Sequence, residues 1–194
     1  AWDVEYNTPM GWKEFAGVHN RGDWDLSRHS QYSGVDLSYH DLETDKKFIP
    51  WISEVSFGCD RAVFLFLLDA YDEVEARSGD EEAKHEKEIV LRLHKDLAPI
   101  KVAILPLSKK EPLAELAGKI AKELRPHFML QYDETGSIGK RYRRQDEIGT
   151  PYCVTVDFES AEDKKVTVRD RDSMQQERVA IDELRDYLKK KFGC

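Results

Sequence analysis

Gly11 to Val18 alternates apolar and polar side chains closely enough to predict a strand, and Asp23 to Tyr32 follows as a helix capped by Asp23, with Leu26 and His29 three apart on one face. Lys47 to Phe57 predicts a second strand. It leads through Gly58 into a helix over Asp60 to Arg77, whose stretch Ala62 to Leu68 is the longest apolar run in the chain. Ser78-Gly79-Asp80 breaks that helix, and a charged helix from Glu82 to Lys95 follows. Leu97-Ala98-Pro99 then marks a boundary between two domains, 1–97 and 98–194.

Beyond Pro99 the period switches repeatedly between that of a strand and that of a helix. Ile100 to Leu105 predicts a strand, Pro112 to Leu124 a helix with proline in its first turn, His127 to Tyr132 a strand, Lys140 to Ile148 a helix and Tyr152 to Phe158 a strand. Strand–helix–strand–helix–strand implies parallel pairing, because parallel neighbours need a crossover. Lys165 to Arg169 and Glu177 to Ala180 read as shorter antiparallel strands ahead of a closing helix at Asp182 to Phe192. The fold class is therefore α/β, with a mixed, mainly parallel five-stranded sheet in the second domain.

Composition narrows the class. A chain of 194 residues with 40% hydrophobic content supports one large core or two small ones. The longest apolar run is far too short to span a bilayer, and the N-terminus lacks the basic and apolar regions of a signal peptide, so a cytoplasmic protein without a membrane partner is expected. Cys59, Cys153 and Cys194 are scattered and odd in number, and the six histidines follow no ligand spacing; neither disulfides nor a protein-held metal site is indicated. The net charge of -8 argues against a general nucleic-acid binder. Lys140, Arg141, Arg143 and Arg144 nonetheless surround Tyr142 in a compact basic patch, while the acidic excess lies elsewhere, notably over Asp72 to Glu88. Such a patch is either a solvated helix face or the footprint of one particular RNA.

The most informative stretch is Ile52 to Tyr71, Ile-Ser-Glu-Val-Ser-Phe-Gly-Cys-Asp-Arg followed by Ala-Val-Phe-Leu-Phe-Leu-Leu-Asp-Ala-Tyr. Glu54 and Ser56 share one strand face and Arg61 stands at the helix start, so a carboxylate, a hydroxyl and a guanidinium are expected to converge on a pocket wall. A Gly followed by Asp-Arg is also an ordinary way to begin an amphipathic helix. The stretch resembles motif 3 of class II aminoacyl-tRNA synthetases in its glycyl form, ExSxGxDR. Three more segments resemble the same family in the same order. Gly11 to Leu26 is similar to the strand and turn ahead of motif 3, and Gly136 to Phe158 and Val166 to Val179 are similar to the anticodon-binding domain.

The resemblance implies a glycine–tRNA ligase that uses ATP and Mg2+ to adenylate glycine and transfers it to tRNA(Gly), a homodimer when full length. It implies an antiparallel catalytic sheet before the boundary and an anticodon-binding domain after it. By the same resemblance Glu54, Val55, Ser56, Phe57 and Gly58 bind glycine, Glu54 taking the ammonium; Glu14, Phe15, Gly58, Cys59, Asp60 and Arg61 bind ATP, Arg61 packing on adenine and facing phosphates. Glu14 is also a candidate to help hold magnesium, which takes few carboxylates when phosphates supply oxygens. Asn20, Arg21 and Asp23 are read as turn organisers. No nucleophile or acid–base pair is expected, because positioning and charge neutralisation drive this chemistry. Lys140, Arg141 and Arg144 are expected to meet anticodon-loop phosphates. Arg169 and Arg171 either reach base edges or close on Asp170 and Asp172 as an ion-pair network.

The resemblance departs from the family where motifs 1 and 2 have no counterpart, and Val55 stands where many members have proline. The chain is accordingly expected to be a portion of a longer enzyme, inactive alone. The alternatives are a noncatalytic RNA-binding or accessory protein on the same scaffold, and a ligase for another small amino acid.

Overall fold

The computed structural model describes residues 1–75 and 87–193, and the chain divides into two units, Ala1–Leu68 and Asp69–Cys194. The first is built on an antiparallel sheet. Strand β1 (Trp2–Thr8) pairs with the long β2 (Gly11–Gly22), and helix α1 (Trp24–Ser33) follows, closing on Gly34 in the left-handed region. Asp23 occupies the cap position, but its carboxylate makes no cap bond: its backbone is not extended, and the turn is held instead by the Gly22 amide donating to Asn20 Oδ1 at 3.0 Å. A small hairpin of β3 (Tyr39–Asp41) and β4 (Lys46–Phe48) precedes β5 (Ile52–Phe57), which completes the sheet in the order β1-β2-β5. The strand expected over Lys47 to Phe57 is thus two strands, interrupted around Pro50, which has no amide to give a ladder. Helix α2 (Cys59–Ala70) begins where Ala62 N donates to Gly58 O at 3.0 Å.

Helix α2 stops seven residues short of the expected Arg77. Strand β6 (Tyr71–Glu75) continues directly from it and pairs antiparallel with β7 (Lys87–Leu91), the stretch read from sequence as the end of a charged helix. The period explains the change: Glu88 and Val90 are buried while Lys87 and Ile89 are exposed, an alternation of two. Lys87 Nζ meets Glu73 across the pair at 3.0 Å. The Ser78-Gly79-Asp80 break and the start of that helix lie outside the described residues.

In the rest of the second unit the alternating elements are all present. They are β8 (Val102–Pro106), α3 (Leu113–Leu124), β9 (Leu130–Tyr132), α4 (Ile138–Glu147), β10 (Tyr152–Val156), α5 (Phe158–Asp163), β11 (Lys165–Asp170), β12 (Gln176–Ala180) and α6 (Leu184–Phe192). The five-stranded sheet has the order β12-β11-β10-β8-β9, parallel between β8 and both its neighbours and antiparallel from β10 outward through β11 and β12. Strands β8 and β10 are buried at every position, as central strands covered on both faces must be. On one face Val102, Ile104, Val154 and Val156 pack with Leu113, Ile120 and Leu124 of α3 and Leu184 and Leu188 of α6. On the other, Ala103, Leu105 and Cys153 meet Ile138 and Tyr142 of α4. Helix α5 was not expected. It starts with a reciprocal cap in which the Ser160 amide donates to Asp157 Oδ1 at 2.9 Å and the Asp157 amide to Ser160 Oγ at 3.1 Å, ending β10 two residues early.

Gly149 joins α4 to β10 with φ 80, and a Cβ there would lie 3.0 Å from the Leu91 carbonyl oxygen. Gly149→Ala is expected to destabilise the second unit by more than the roughly 1–2 kcal/mol of left-handed strain alone. Gly136→Ala, at φ 80 but with a Cβ contact no closer than 4.0 Å, is expected to show the strain without the clash. Urea unfolding of the two variants beside the parent chain measures the difference.

Candidate functional site

In the first unit the cross-strand register fixes which candidate residues meet. Ala16 faces Phe57, Gly17 faces Ser56, Val18 faces Val55 and His19 faces Glu54. Glu54 is paired with Arg21, Nη1 to Oε2 at 3.3 Å, and Arg21 also binds Asp25 through Nε at 2.8 Å. A guanidinium therefore sits at the carboxylate expected to take an ammonium, and Arg21 does more than organise a turn. Arg61 donates through Nη1 to the Glu14 carbonyl at 2.6 Å, with the Glu14 carboxylate 3.8 Å away. Both line a cavity of about 270 Å³ with Thr8, Lys13, Phe64 and Leu65, whose wall does not include Glu54 or Ser56. The expected convergence of Glu54, Ser56 and Arg61 is thus split: Arg61 joins Glu14 and Glu54 joins Arg21. Phe15 and Phe57 stack with ring centroids 6.1 Å apart, while Val55, Ser56, Gly58, the free thiol of Cys59 and Asp60 are exposed.

The cavity carries two cations beside apolar side chains, a donor set that suits a nucleotide, with phosphates on Lys13 and Arg61 and a base against Phe64 or Leu65. Among the described residues no group of three His, Cys, Asp or Glu side chains is placed to hold a metal. A magnesium ion held mainly by phosphates needs only a carboxylate such as that of Glu14.

In the second unit the residues expected to contact tRNA separate into two ends of the sheet. Arg169 and Arg171 lie where β10 begins, since Cys153 pairs with Arg169 and the Arg171 amide donates to Pro151 O at 3.0 Å. They are not on the surface: Arg169 is 2% exposed and Arg171 3%. Arg169 makes a two-pronged bond to Asp146, 2.9 Å to Oδ1 and 2.8 Å to Oδ2, with its guanidinium carbon 4.7 Å from the Tyr142 ring centre. Burial alone would lower its pKa; Asp146 more than reverses that. Arg171 donates to Gly149 O at 2.8 Å, Leu93 O at 2.9 Å and Asp172 Oδ2 at 2.8 Å, and Asp172 passes the charge on to Arg92 and Asp72. Of the two readings open at the sequence level, base edges or an internal network, the geometry is that of the network. Cys153, beneath this layer, is pushed up to about 12 by burial.

Arg141 is also inside. It is 3% exposed, and its guanidinium is used by the carbonyls of Pro106, Ser137 and Asp133. Helix α4 has few apolar residues, so Arg141, Gln145 and Asp146 form its inward face; that run of polar residues was the one sign in the sequence that its arginines turn inward. Lys140 remains exposed, and Arg144 spans Asp133, at 2.5 Å, and the Thr135 carbonyl, at 2.6 Å. Burial works to raise the pKa of Asp133, but the hydrogen bonds from Arg144 and the Thr135 amide and the charges of Arg144 and Arg141 hold it below its usual value. These groups stand at the carboxyl ends of β8, β9 and β10. There the Leu107 amide donates to Val156 O at 2.9 Å, the Asp133 amide donates to Ile104 O at 3.1 Å, and Ser137 caps α4. The loops after β8 and β9 leave to opposite faces, and it is outside the carboxyl ends of such strands that open α/β sheets bind ligands.

Residues 101–191 match the family model of an anticodon binding domain. Over 190 residues the chain is 53% identical to a glycine–tRNA ligase of Clostridium acetobutylicum, covering 98% of this chain and 39% of that protein. A glycine–tRNA ligase of Geobacillus kaustophilus is 54% identical over 191 residues, 98% of this chain and 40% of the relative, and one of Acetivibrio thermocellus 55% over 190 residues, 98% and 39%. The chain thus spans about two-fifths of the length of these curated relatives. A solved structure described as the RNA binding domain of threonyl-tRNA synthetase from Cryptosporidium parvum Iowa II shares the fold, with a TM-score of 0.66 at 21% identity over 97% of this chain and 42% of that one. Among the described residues no helix is long and apolar enough to cross a membrane.

Arg169→Ala leaves Asp146 buried without its guanidinium and is expected to destabilise the second unit by about 3–5 kcal/mol. Arg144→Ala, where the arginine is 42% exposed and Asp133 keeps the Thr135 amide as a donor, is expected to cost clearly less than Arg169→Ala. Denaturant midpoints compare the two.

The Cys153 thiol titrates higher in the folded chain than its ordinary value of about 8.5, so the folded state holds the proton that the unfolded state releases. Its contribution is complete below that pH and is lost as pH rises toward about 12. Cys153→Ala is expected to make stability fall less steeply between pH 8 and pH 10, on the order of that window, as read from denaturant midpoints across the range.

Proposed function

The chain belongs to the glycine–tRNA ligase family, as a C-terminal portion that carries the anticodon-binding domain, and on that premise we propose that it supplies motif 3 and anticodon recognition to an enzyme joining glycine to tRNA(Gly). The observation that carries this reading is identity above one half along almost the whole chain to proteins named for that activity. Nothing comparable supports the accessory-protein alternative.

The division of labour follows the expected domains 1–97 and 98–194, whose site residues fall in the units Ala1–Leu68 and Asp69–Cys194, the structural division lying earlier than Pro99. The first contributes part of the glycine and ATP site, with Glu14, Lys13 and Arg61 facing nucleotide and magnesium, and Glu54, Ser56 and their strand facing glycine. Glycine offers only its ammonium and carboxylate to bind, so a full negative charge at Glu54 matters more than any shape contact. Arg21 already pairs with that carboxylate, so the ammonium competes with it or shares Glu54. The parent enzyme works as a cytoplasmic homodimer.

The second domain reads the anticodon at the carboxyl ends of β8 to β10. Lys140 and the Ser137-capped start of α4 support phosphate contacts there, and Arg144 is held by Asp133 at the rim. The reading drops Arg141, Arg169 and Arg171 as direct contacts, because their donors are already engaged inside the fold.

In the full-length parent, Glu54→Gln is expected to raise KM for glycine far more than for ATP, by the roughly 1.5–3 kcal/mol of a charge-assisted bond, and Arg61→Ala to show the opposite bias; steady-state kinetics with each substrate varied decides. Binding is tested on the chain itself by fluorescence anisotropy with tRNA transcripts across a salt series. A preference for the glycine anticodon over a swapped one, weakening as salt rises, is expected. Equal binding to both transcripts at every salt concentration overturns the anticodon-reading role.

A further inference from the structure

Phe158 is the residue at this end of the sheet whose surface the fold does not use. It follows the last residue of β10 by two positions and is 66% exposed, although a phenylalanine in a packed α/β unit normally contributes to the core. Its neighbours are fully occupied. Asp157 accepts from Ser160 and is bound by Arg178, and Ser160 is buried, so the backbone that presents Phe158 is held from both sides. Among the described residues no aromatic ring or cation stacks on it. A rigidly mounted, outward aromatic is thus presented at the carboxyl ends of the strands.

The loop next to it is basic. Val156 pairs with Pro106, and the Leu107 amide donates to Val156 O at 2.9 Å, which places the start of the loop after β8 against the start of α5. Leu107 is itself partly exposed, and Lys109 and Lys110 follow it on the surface, neither making an ion pair among the described residues. By contrast Arg92, Arg143, Arg144, Arg169, Arg171, Arg178 and Arg185 each hold a carboxylate. In a chain of net charge -8, cations left without carboxylates in a loop that starts against the segment bearing an exposed aromatic ring are a combination that single-stranded nucleic acid takes: a base on the ring, the flanking phosphates on the cations.

We propose that Phe158 is a stacking platform for one unpaired base of the bound RNA, with Lys109 and Lys110 taking the phosphates beside it. The inference rests on the anticodon-reading role of this domain and adds to it the residue that holds a splayed base. Stacking tolerates any base, so Phe158 sets affinity and the orientation of the loop, while discrimination among bases falls to polar groups at the strand ends.

The test uses the 194-residue chain and a glycine-tRNA transcript carrying 2-aminopurine at single positions of its anticodon loop. Phe158→Leu keeps an apolar side chain without a ring, and Phe158→Trp keeps the ring. The Leu variant is expected to bind about 5- to 100-fold more weakly, with an unchanged salt slope and with loss of the fluorescence quenching that wild type gives at one loop position. The Trp variant is expected to bind and quench like wild type. Lys109→Ala with Lys110→Ala is expected to lower the salt slope by about 1.4, near 0.7 for each single-strand phosphate. A Leu variant that binds and quenches like wild type, or a Trp variant as weak as Leu, overturns the platform while leaving anticodon reading standing. Wild-type chain that shows no preference between anticodons overturns the reading on which the platform rests. Thermal unfolding midpoints within a degree or so of wild type, as expected for a side chain this exposed, assign the losses to binding.

Discussion

Helix α4 is held to its sheet by buried charge as well as by the packing of Ile138 and Tyr142, and both ends of the second unit are arranged around that charge. Arg141, from its first turn, reaches the carbonyls at the strand ends, and Asp146, from its last, accepts both prongs of Arg169 from β11. A buried ion pair contributes little over a well-packed apolar pair, but its geometry is exacting and a missing partner is heavily penalised. The helix is therefore fixed in rotation and register. Tyr142 fills the space between, its hydroxyl 2.5 Å from Thr155 Oγ1 and its ring beneath Arg169.

That constraint decides what each end of the sheet can do. At the amino ends of the parallel strands the guanidinium groups are consumed by carboxylates and carbonyls, and Arg171 reaches Leu93 and Gly149, tying the segment after β7 to the sheet. Arg143 does the same for β7 itself through Glu88, 3.0 Å away. At the carboxyl ends, Arg141 lies below the surface and leaves Lys109, Lys110, Lys140 and Phe158 outermost. Function in an α/β unit of this kind is expected at that end, where loops rather than ladders meet the ligand.

In the first unit the logic is that of a sheet with side chains of both signs. The register of β2 against β5 places His19 beside Glu54 and Gly17 beside Ser56. The His19 ring lies over Gly17, where an added Cβ would meet its Nε2 at 2.4 Å. Arg21 and Glu14 then take the two charges, Glu54 and Arg61, that a reading of motif 3 alone would leave for substrates.

The sequence by itself determined the alternation of strands and helices beyond Pro99, because Val102–Pro106 is apolar throughout, Tyr152–Val156 is apolar but for Thr155, and the period of α3 is unambiguous. It determined the family too, through motifs whose spacing is local. It did not determine β6 and β7, where charged residues that look helical alone become an antiparallel strand pair once Val90 is buried and Lys87 finds Glu73. Nor did it determine which arginines face outward. An arginine's stem suits either a surface or an interior, and the choice depends on whether a carboxylate or a free carbonyl lies within reach after folding. Asp146 and Pro106 supply those partners from 23 and 35 residues away in the chain, a distance over which only the tertiary structure can bring them together.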